Sequence, residues 1–199
     1  MDERVGRCTR NTRETQITAE WVLDGAGRAD VHTKIGYLDH MLDSLARHGL
    51  FDIHVEVGDA DLHVDEHHTV EDVAIALGRA LAEALGDGRG LRRMGDATVP
   101  LDEALALVAV DLSGRGLATL DIPLRTPRLG QLPTEMVPHF FQSLATEARM
   151  TLHVLVLRGE NDHHKVEACF KALAKALDWA TSLDPRVAEQ VPSTKGVLQ

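Results

Sequence analysis

The chain is poor in aromatic residues, in cysteine and in basic side chains, and it has no long apolar run. Aromatics are 4% of its 199 residues, so Leu, Val and Ala must do most of the core packing. The only cysteines, Cys8 and Cys169, are far apart and fit no CxxC pattern. That excludes a disulfide framework and points to two reduced thiols. Lys plus Arg total 21 against 31 Asp plus Glu, a formal net charge of −10. This balance argues against a non-specific nucleic-acid binder, which needs a basic footprint. No stretch reaches the ~20 apolar residues of a membrane span, and the N-terminus lacks the apolar core of a signal peptide. The expectation is a soluble, cytoplasmic protein with neither nucleic acid nor membrane as partner. Gly-rich phosphate loops and dinucleotide fingerprints are also missing.

Histidine is what the chain has, 11 in all. The string HHxxE occurs twice, as His67-His68-Thr69-Val70-Glu71 and as His163-His164-Lys165-Val166-Glu167. Each copy opens a segment with helical periodicity. On a helix, positions i and i+4 stack on one face, so His67 with Glu71, and His163 with Glu167, can grip one ion. Imidazole with carboxylate suits manganese, iron, zinc or nickel, and spacing alone does not choose among them. No cysteine joins the cluster, which disfavours a purely structural zinc site. Adjacent histidines project about 100° apart on a helix, so each His-His pair could serve two different metals.

The two motifs belong to a longer repeat. His40-Met41-Leu42-Asp43-Ser44-Leu45-Ala46 is matched by His139-Phe140-Phe141-Gln142-Ser143-Leu144-Ala145, and Ile53-His54-Val55 by Leu152-His153-Val154. The offset stays near about one hundred residues, which points to two tandem copies of one unit. A single domain over 1–199 is expected, with repeats at about 10–90 and 91–185 and a C-terminal tail at 186–199.

Residues 1–14 are polar and read as an arm. Thr15 to Asp24 reads as a strand, Gly25-Ala26-Gly27 as a turn, and Arg28 to Lys34 as its hairpin partner. Asp39 is placed to cap a helix over 40–47, followed by a strand over 51–57 and a helix over 68–85. In the second half, strands are expected over 103–112 and 117–124, a loop over 123–133, a helix over 135–148, a strand over 150–157 and a helix over 163–182. Each half is thus β-β-α-β-α, and the class is α+β, with helices on one face of each sheet. His48 ends a helix, a place that favours a cation. His54 and His153 fall within strands. Asp65 and Glu66 could orient the imidazoles or simply cap the helix.

A few basic residues in this acidic chain could converge on an anion such as phosphate: Arg93 after a Gly-rich loop, Arg115 in the Ser-Gly-Arg-Gly turn, Lys171 one turn beyond Glu167, and Lys195 in the tail. Arg79 and Lys175 match across the repeat and belong on outer helix faces.

Several segments carry a family resemblance: Thr12-Arg13-Glu14-Thr15, Leu38-Asp39-His40-Met41-Leu42, His67-His68-Thr69-Val70-Glu71-Asp72, Pro100-Leu101-Asp102-Glu103-Ala104, Leu112-Ser113-Gly114-Arg115, His139-Phe140-Phe141 and Pro192-Ser193-Thr194-Lys195-Gly196. On these the chain resembles the imidazoleglycerol-phosphate dehydratases in their monofunctional form. The resemblance implies a pseudo-twofold pair of sheet-and-helix units and a hydro-lyase reaction of histidine biosynthesis. It implies two manganese ions per site, one on His40, His67, Glu71 and His164, the other on His68, His139, His163 and Glu167. It implies Glu14 as acid/base, and phosphate held by Arg93, Arg115, Lys171, Ser193, Thr194 and Lys195. It also implies trimers that build a 24-subunit shell with active sites between subunits. A dinuclear metallohydrolase and a metal-assembled storage shell are the alternatives.

Overall fold

A computed structural model describes residues 4–196 and 198. Residues 1–3 of the expected arm, and 197 and 199 of the expected tail, lie outside the described residues. The rest of the arm is largely strand. β1 (Val5–Asn11) pairs antiparallel with β2 (Thr15–Val22). Its inward positions are small or polar, Gly6, Cys8 and Arg10, which is why no apolar alternation marks it. Gly6 is required by a close approach: a Cβ there would stand 1.8 Å from the Ala80 carbonyl oxygen.

Arg28 to Lys34 does not fold back on β2. Both edges of β2 are taken, by β1 and by β4 (Asp52–Ala60). The segment β3 (Ala29–His32) therefore adds to the free edge of β4, in parallel. Asp52 fixes the crossing by accepting from the backbone N–H of Ala26 at 2.8 Å and of Arg28 at 3.0 Å. The first sheet has the order β1-β2-β4-β3.

Helix α1 (Gly36–Gly49) begins earlier than its periodicity suggests. Asp39 lies within its first turn and accepts from the Thr33 backbone N–H at 2.8 Å, so it is not the cap. Helix α2 (His67–Leu85) closes the first half.

The second half repeats this plan. It runs β5 (Met94–Leu101), β6 (Ala104–Asp111), β7 (Leu117–Asp121), α3 (Met136–Glu147), β10 (Thr151–Arg158) and α4 (Asp162–Thr181), in a sheet of order β5-β6-β10-β7. A two-residue-per-strand hairpin, β8 (Arg128–Leu129) with β9 (Leu132–Pro133), occupies the expected loop. β5 went unread for the reason β1 did. Its one fully buried residue is Gly95, pressed so close to α4 that a Cβ would stand 2.3 Å from the Ala176 carbonyl oxygen. The α+β class and the duplication hold, with one more strand opening each half than the pattern suggested.

Helix α2 packs on β1 and β2 and against α3, while α4 packs on β5 and β6 and against α1. The helices thus meet between the sheets, each half lending one helix to the other. This joins one continuous core, in which Phe140, Phe141 and Phe170 stack with ring centroids 4.9–5.9 Å apart. Each such buried ring contributes roughly 1.5–3 kcal/mol. Arg79 and Lys175 are exposed on helix surfaces, as expected. No helix among the described residues is long and apolar enough to cross a membrane. Both cysteines are free thiols, and burial pushes Cys169 up to about 12.

Candidate functional site

The cross-packing of α1 on α4 and of α2 on α3 decides how the histidines group. His40 from α1 joins His163 and Glu167 from α4, and His139 from α3 joins His67 and Glu71 from α2. In each group one donor atom per residue lies within 4.8 Å of the others. Glu167 Oε2 stands 3.3 Å from His40 Nε2 and 3.1 Å from His163 Nε2. Glu71 Oε1 stands 3.1 Å from His139 Nε2. The two groups correspond residue by residue across the repeat. Three converging donors fit a divalent ion, and the mixture of imidazole and carboxylate suits manganese among others.

This corrects the expected division of donors. His40 does not share a cluster with His67 and Glu71, and His139 does not share one with His163 and Glu167. The helix that carries each HHxxE motif is packed by the first helix of the opposite half, so the crossing occurs within one chain. His68 and His164 join neither cluster of their own chain. They project from another side of their helices, as the 100° step requires. His68 Nδ1 lies 2.8 Å from Asp61 Oδ2, and His164 Nδ1 lies 2.7 Å from Glu103 Oε2. These hydrogen bonds hold both imidazoles above their usual pKa, and His164 in turn draws Glu103 down to about 2. A carboxylate on Nδ1 fixes the tautomer that leaves Nε2 as the donor atom for a metal.

Sequence reasoning missed Asp61 and Glu103 in this role and left Asp65 and Glu66 open between it and helix capping. Asp65 instead accepts from the His67 backbone N–H at 2.8 Å, and Glu66 pairs with Arg128. The signal was weak, because Asp61 sits in an irregular polar stretch and Glu103 in a hairpin turn.

Glu14 lies in the β1–β2 turn, half exposed, with Oε2 3.8 Å from His68 Nδ1. Its carbonyl accepts from the Asp61 N–H at 3.1 Å. Asp61 therefore ties the Glu14 turn to His68.

A cavity of about 210 Å³ is lined by Arg93, Ser113, Arg115, Ser193, Thr194, Lys195 and Leu198. Five of the six residues expected on phosphate thus line one cavity, and Ser113 is an addition. Arg93 anchors it. Its guanidinium forks onto Asp111 at 2.7 and 3.0 Å and reaches the Pro192 carbonyl at 2.7 Å. Those bonds use three of its five N–H donors, and two remain for an anion. Arg93 also holds φ at +72°, a region disfavoured for side chains with a Cβ. Its N–H bond to Ala180 at 2.9 Å helps fix that turn.

Lys171 does not line this cavity. Its Nζ lies 2.7 Å from Glu167 Oε1, beside the His40–His163–Glu167 cluster. Burial works against ionising Glu167, but the bonds and charges of Lys171 and then His40 together outweigh it and hold the carboxyl below its ordinary value. His48 also departs from expectation. Burial, then the charges of Lys171 and Lys175, push it down, away from the cationic form.

Cluster and cavity sit at opposite ends of the same elements. β6 begins after Glu103, which holds His164, and ends at Asp111, which holds Arg93. At about 3.3 Å per residue that is roughly 26 Å. α4 gives the same length, from His163 at its start to Ala180, whose carbonyl bonds Arg93, at ~1.5 Å per residue.

Fold and donor set together define an internally duplicated α+β protein with paired imidazole–carboxylate clusters suited to divalent metals. The family model of imidazoleglycerol-phosphate dehydratase matches residues 33–177. An imidazoleglycerol-phosphate dehydratase of Chloroflexus aggregans is 55% identical over 99% of this chain and 96% of its own. Crystal structures of the enzyme from Pyrococcus furiosus, in complex with (S)-C348, and from Staphylococcus aureus superpose with TM-scores of 0.81 each. The first is 37% identical and covers 96% of this chain and 100% of its own; the second is 32% identical and covers 90% and 99%. The chain belongs to the imidazoleglycerol-phosphate dehydratase family, the hydro-lyases of histidine biosynthesis.

Proposed function

We propose that this enzyme dehydrates imidazole glycerol phosphate to imidazole acetol phosphate and water in the cytoplasm, at a dinuclear manganese site completed between copies of the chain. The pair of repeat-related His–His–Glu clusters is the observation that carries the metal reading. His40, His163 and Glu167 would hold one ion, and His67, Glu71 and His139 the other. His68 and His164, with Nδ1 engaged by carboxylates, offer Nε2 as further donors to a neighbouring copy.

The ~26 Å between the start of α4, at the His40–His163–Glu167 cluster, and the cavity supports sharing. A small substrate does not span that distance, which favours a site in which the cavity of one copy faces a cluster of another. Lys171, at the cluster end, then reaches phosphate held by its neighbour's Arg93, Arg115, Ser193, Thr194 and Lys195. The assembly is taken as trimers that build a 24-subunit shell.

The substrate's C–H is not acidic by itself, because no carbonyl adjoins it. Divalent ions, when bound by these residues, would supply Lewis acidity to the dehydration. Anchoring of the phosphate fixes the reacting carbon against Glu14. The Glu14 carboxylate takes the proton from carbon and delivers one to the departing hydroxyl, which leaves as water, and the enol product becomes the ketone. Its turn is held by the backbone bond to Asp61, so the proton shuttle and His68 keep one spacing.

The test is product formation by purified protein, stripped of metal with chelator and then given manganese. Acetol phosphate that appears only with metal supports the reading. Assembled, metal-loaded protein that makes none overturns it.

A further inference from the structure

The two halves differ most at one connection. In the first half, residues 33–35 alone join β3 to α1, whereas in the second the stretch 122–135 joins β7 to α3. That stretch touches the N-terminal end of every helix, and those ends carry all the candidate metal donors.

At α4, Asp162 Oδ2 accepts from the backbone N–H of Arg125 and Thr126, both at 2.7 Å, and from the Thr126 hydroxyl at 2.9 Å. Its other oxygen pairs at 2.8 Å with Lys165 Nζ, which also donates to the Pro123 carbonyl at 3.0 Å. Asp162 and Lys165 are only 4% and 2% exposed. At α2, Arg128 pairs with Glu66, the residue before His67, and with the Gln131 carbonyl. At α1, Gln131 Oε1 accepts from the first helical N–H, that of Gly36, at 3.2 Å. The stretch then runs directly into α3.

A buried ion pair is a poor device for stability alone, since desolvation offsets much of its attraction. Here it fixes geometry. Each cluster takes donors from two helices, so its donor spacing depends on how two helix ends sit relative to each other. We infer that residues 122–135 are a strap that sets this spacing in both clusters, with Lys165 and Arg128 as positioning residues. The inference rests on the metal reading above.

Cobalt(II) titration of the assembled, metal-stripped full chain, followed by visible absorbance, tests it. Arg128→Gln cuts an exposed link and should lower the melting temperature by no more than about 3 °C. The expected result is half of the sites binding cobalt about tenfold more weakly, with the other half unchanged. Arg128→Lys, which keeps the charge toward Glu66, should restore part of that affinity. Lys165→Met should weaken the His40–His163–Glu167 site instead; should that variant fail to fold, Arg128→Gln decides alone. A wild-type cobalt isotherm in Arg128→Gln, or an equal loss at every site that tracks the melting temperature, overturns the strap. Wild-type protein that takes up no cobalt overturns the metal reading itself.

Discussion

Arg93→Lys tests the tether that holds the tail at the cavity, with the trypsin readout separating loss of the tether from loss of any direct Arg93 contact to the anion. Arg93 makes three charge-assisted hydrogen bonds, two to Asp111 and one to the Pro192 carbonyl. The side chain is only 16% exposed, so water does not readily replace them. A lysine keeps the charge but has a single nitrogen, which cannot span Asp111 and Pro192 at once. Asp111 wins that competition as the charged partner, and the tail loses its tether. One hydrogen bond of this kind is worth about 1.5–3 kcal/mol. At ~1.4 kcal/mol per tenfold, affinity for an anion that needs Ser193 to Lys195 in place falls about 10- to 150-fold. Calorimetric titration of the assembled enzyme with inorganic phosphate measures this. Trypsin supplies an independent readout, because a released tail is cut faster after Lys195. Phosphate affinity within about twofold of wild type, with unchanged cleavage, would refute the tether.

Glu14→Gln should lower turnover by about 100-fold or more while metal content stays at the wild-type level; joint loss of metal and activity would show Glu14 to be structural. Phe141 is fully buried against Phe140 and Phe170, and Phe141→Ala should cost about 3–5 kcal/mol in denaturant unfolding. A loss below about 1 kcal/mol would mean the aromatic cluster carries less than its burial implies. Asp52 bonds the Arg28 side chain, which draws its pKa down to about 2 from 3.8. Its folded value is depressed, so its contribution is complete above about 4 and is lost as pH falls through about 2. Asp52→Asn should flatten the stability profile across that window, and a variant that keeps the wild-type acid slope would place the titration elsewhere.

The motifs that made the clusters legible are local. HHxxE fixes its own geometry, because a helix stacks i and i+4 whatever surrounds it. The same logic made His68 and His164 separable from their neighbours. Strands β1 and β5 were not legible, since their inward residues at the closest helix contacts are Gly6 and Gly95, where a helix backbone takes the room of a side chain. Asp61 and Glu103 were missed because orienting an imidazole requires proximity that irregular chain does not encode in spacing.

By itself, the sequence determined the duplication, the α+β class, the donor types and the basic residues around Ser193 to Lys195, all of which follow from periodicity and residue chemistry. Tertiary structure alone decided which donors meet. His40 belongs with His163 and Glu167 because α1 packs on α4, a pairing set by the fit of two buried faces about one hundred residues apart. It also decided that the cavity around Arg93 and the His40–His163–Glu167 cluster lie toward opposite ends of α4, since only the lengths and directions of packed elements place two sites in space.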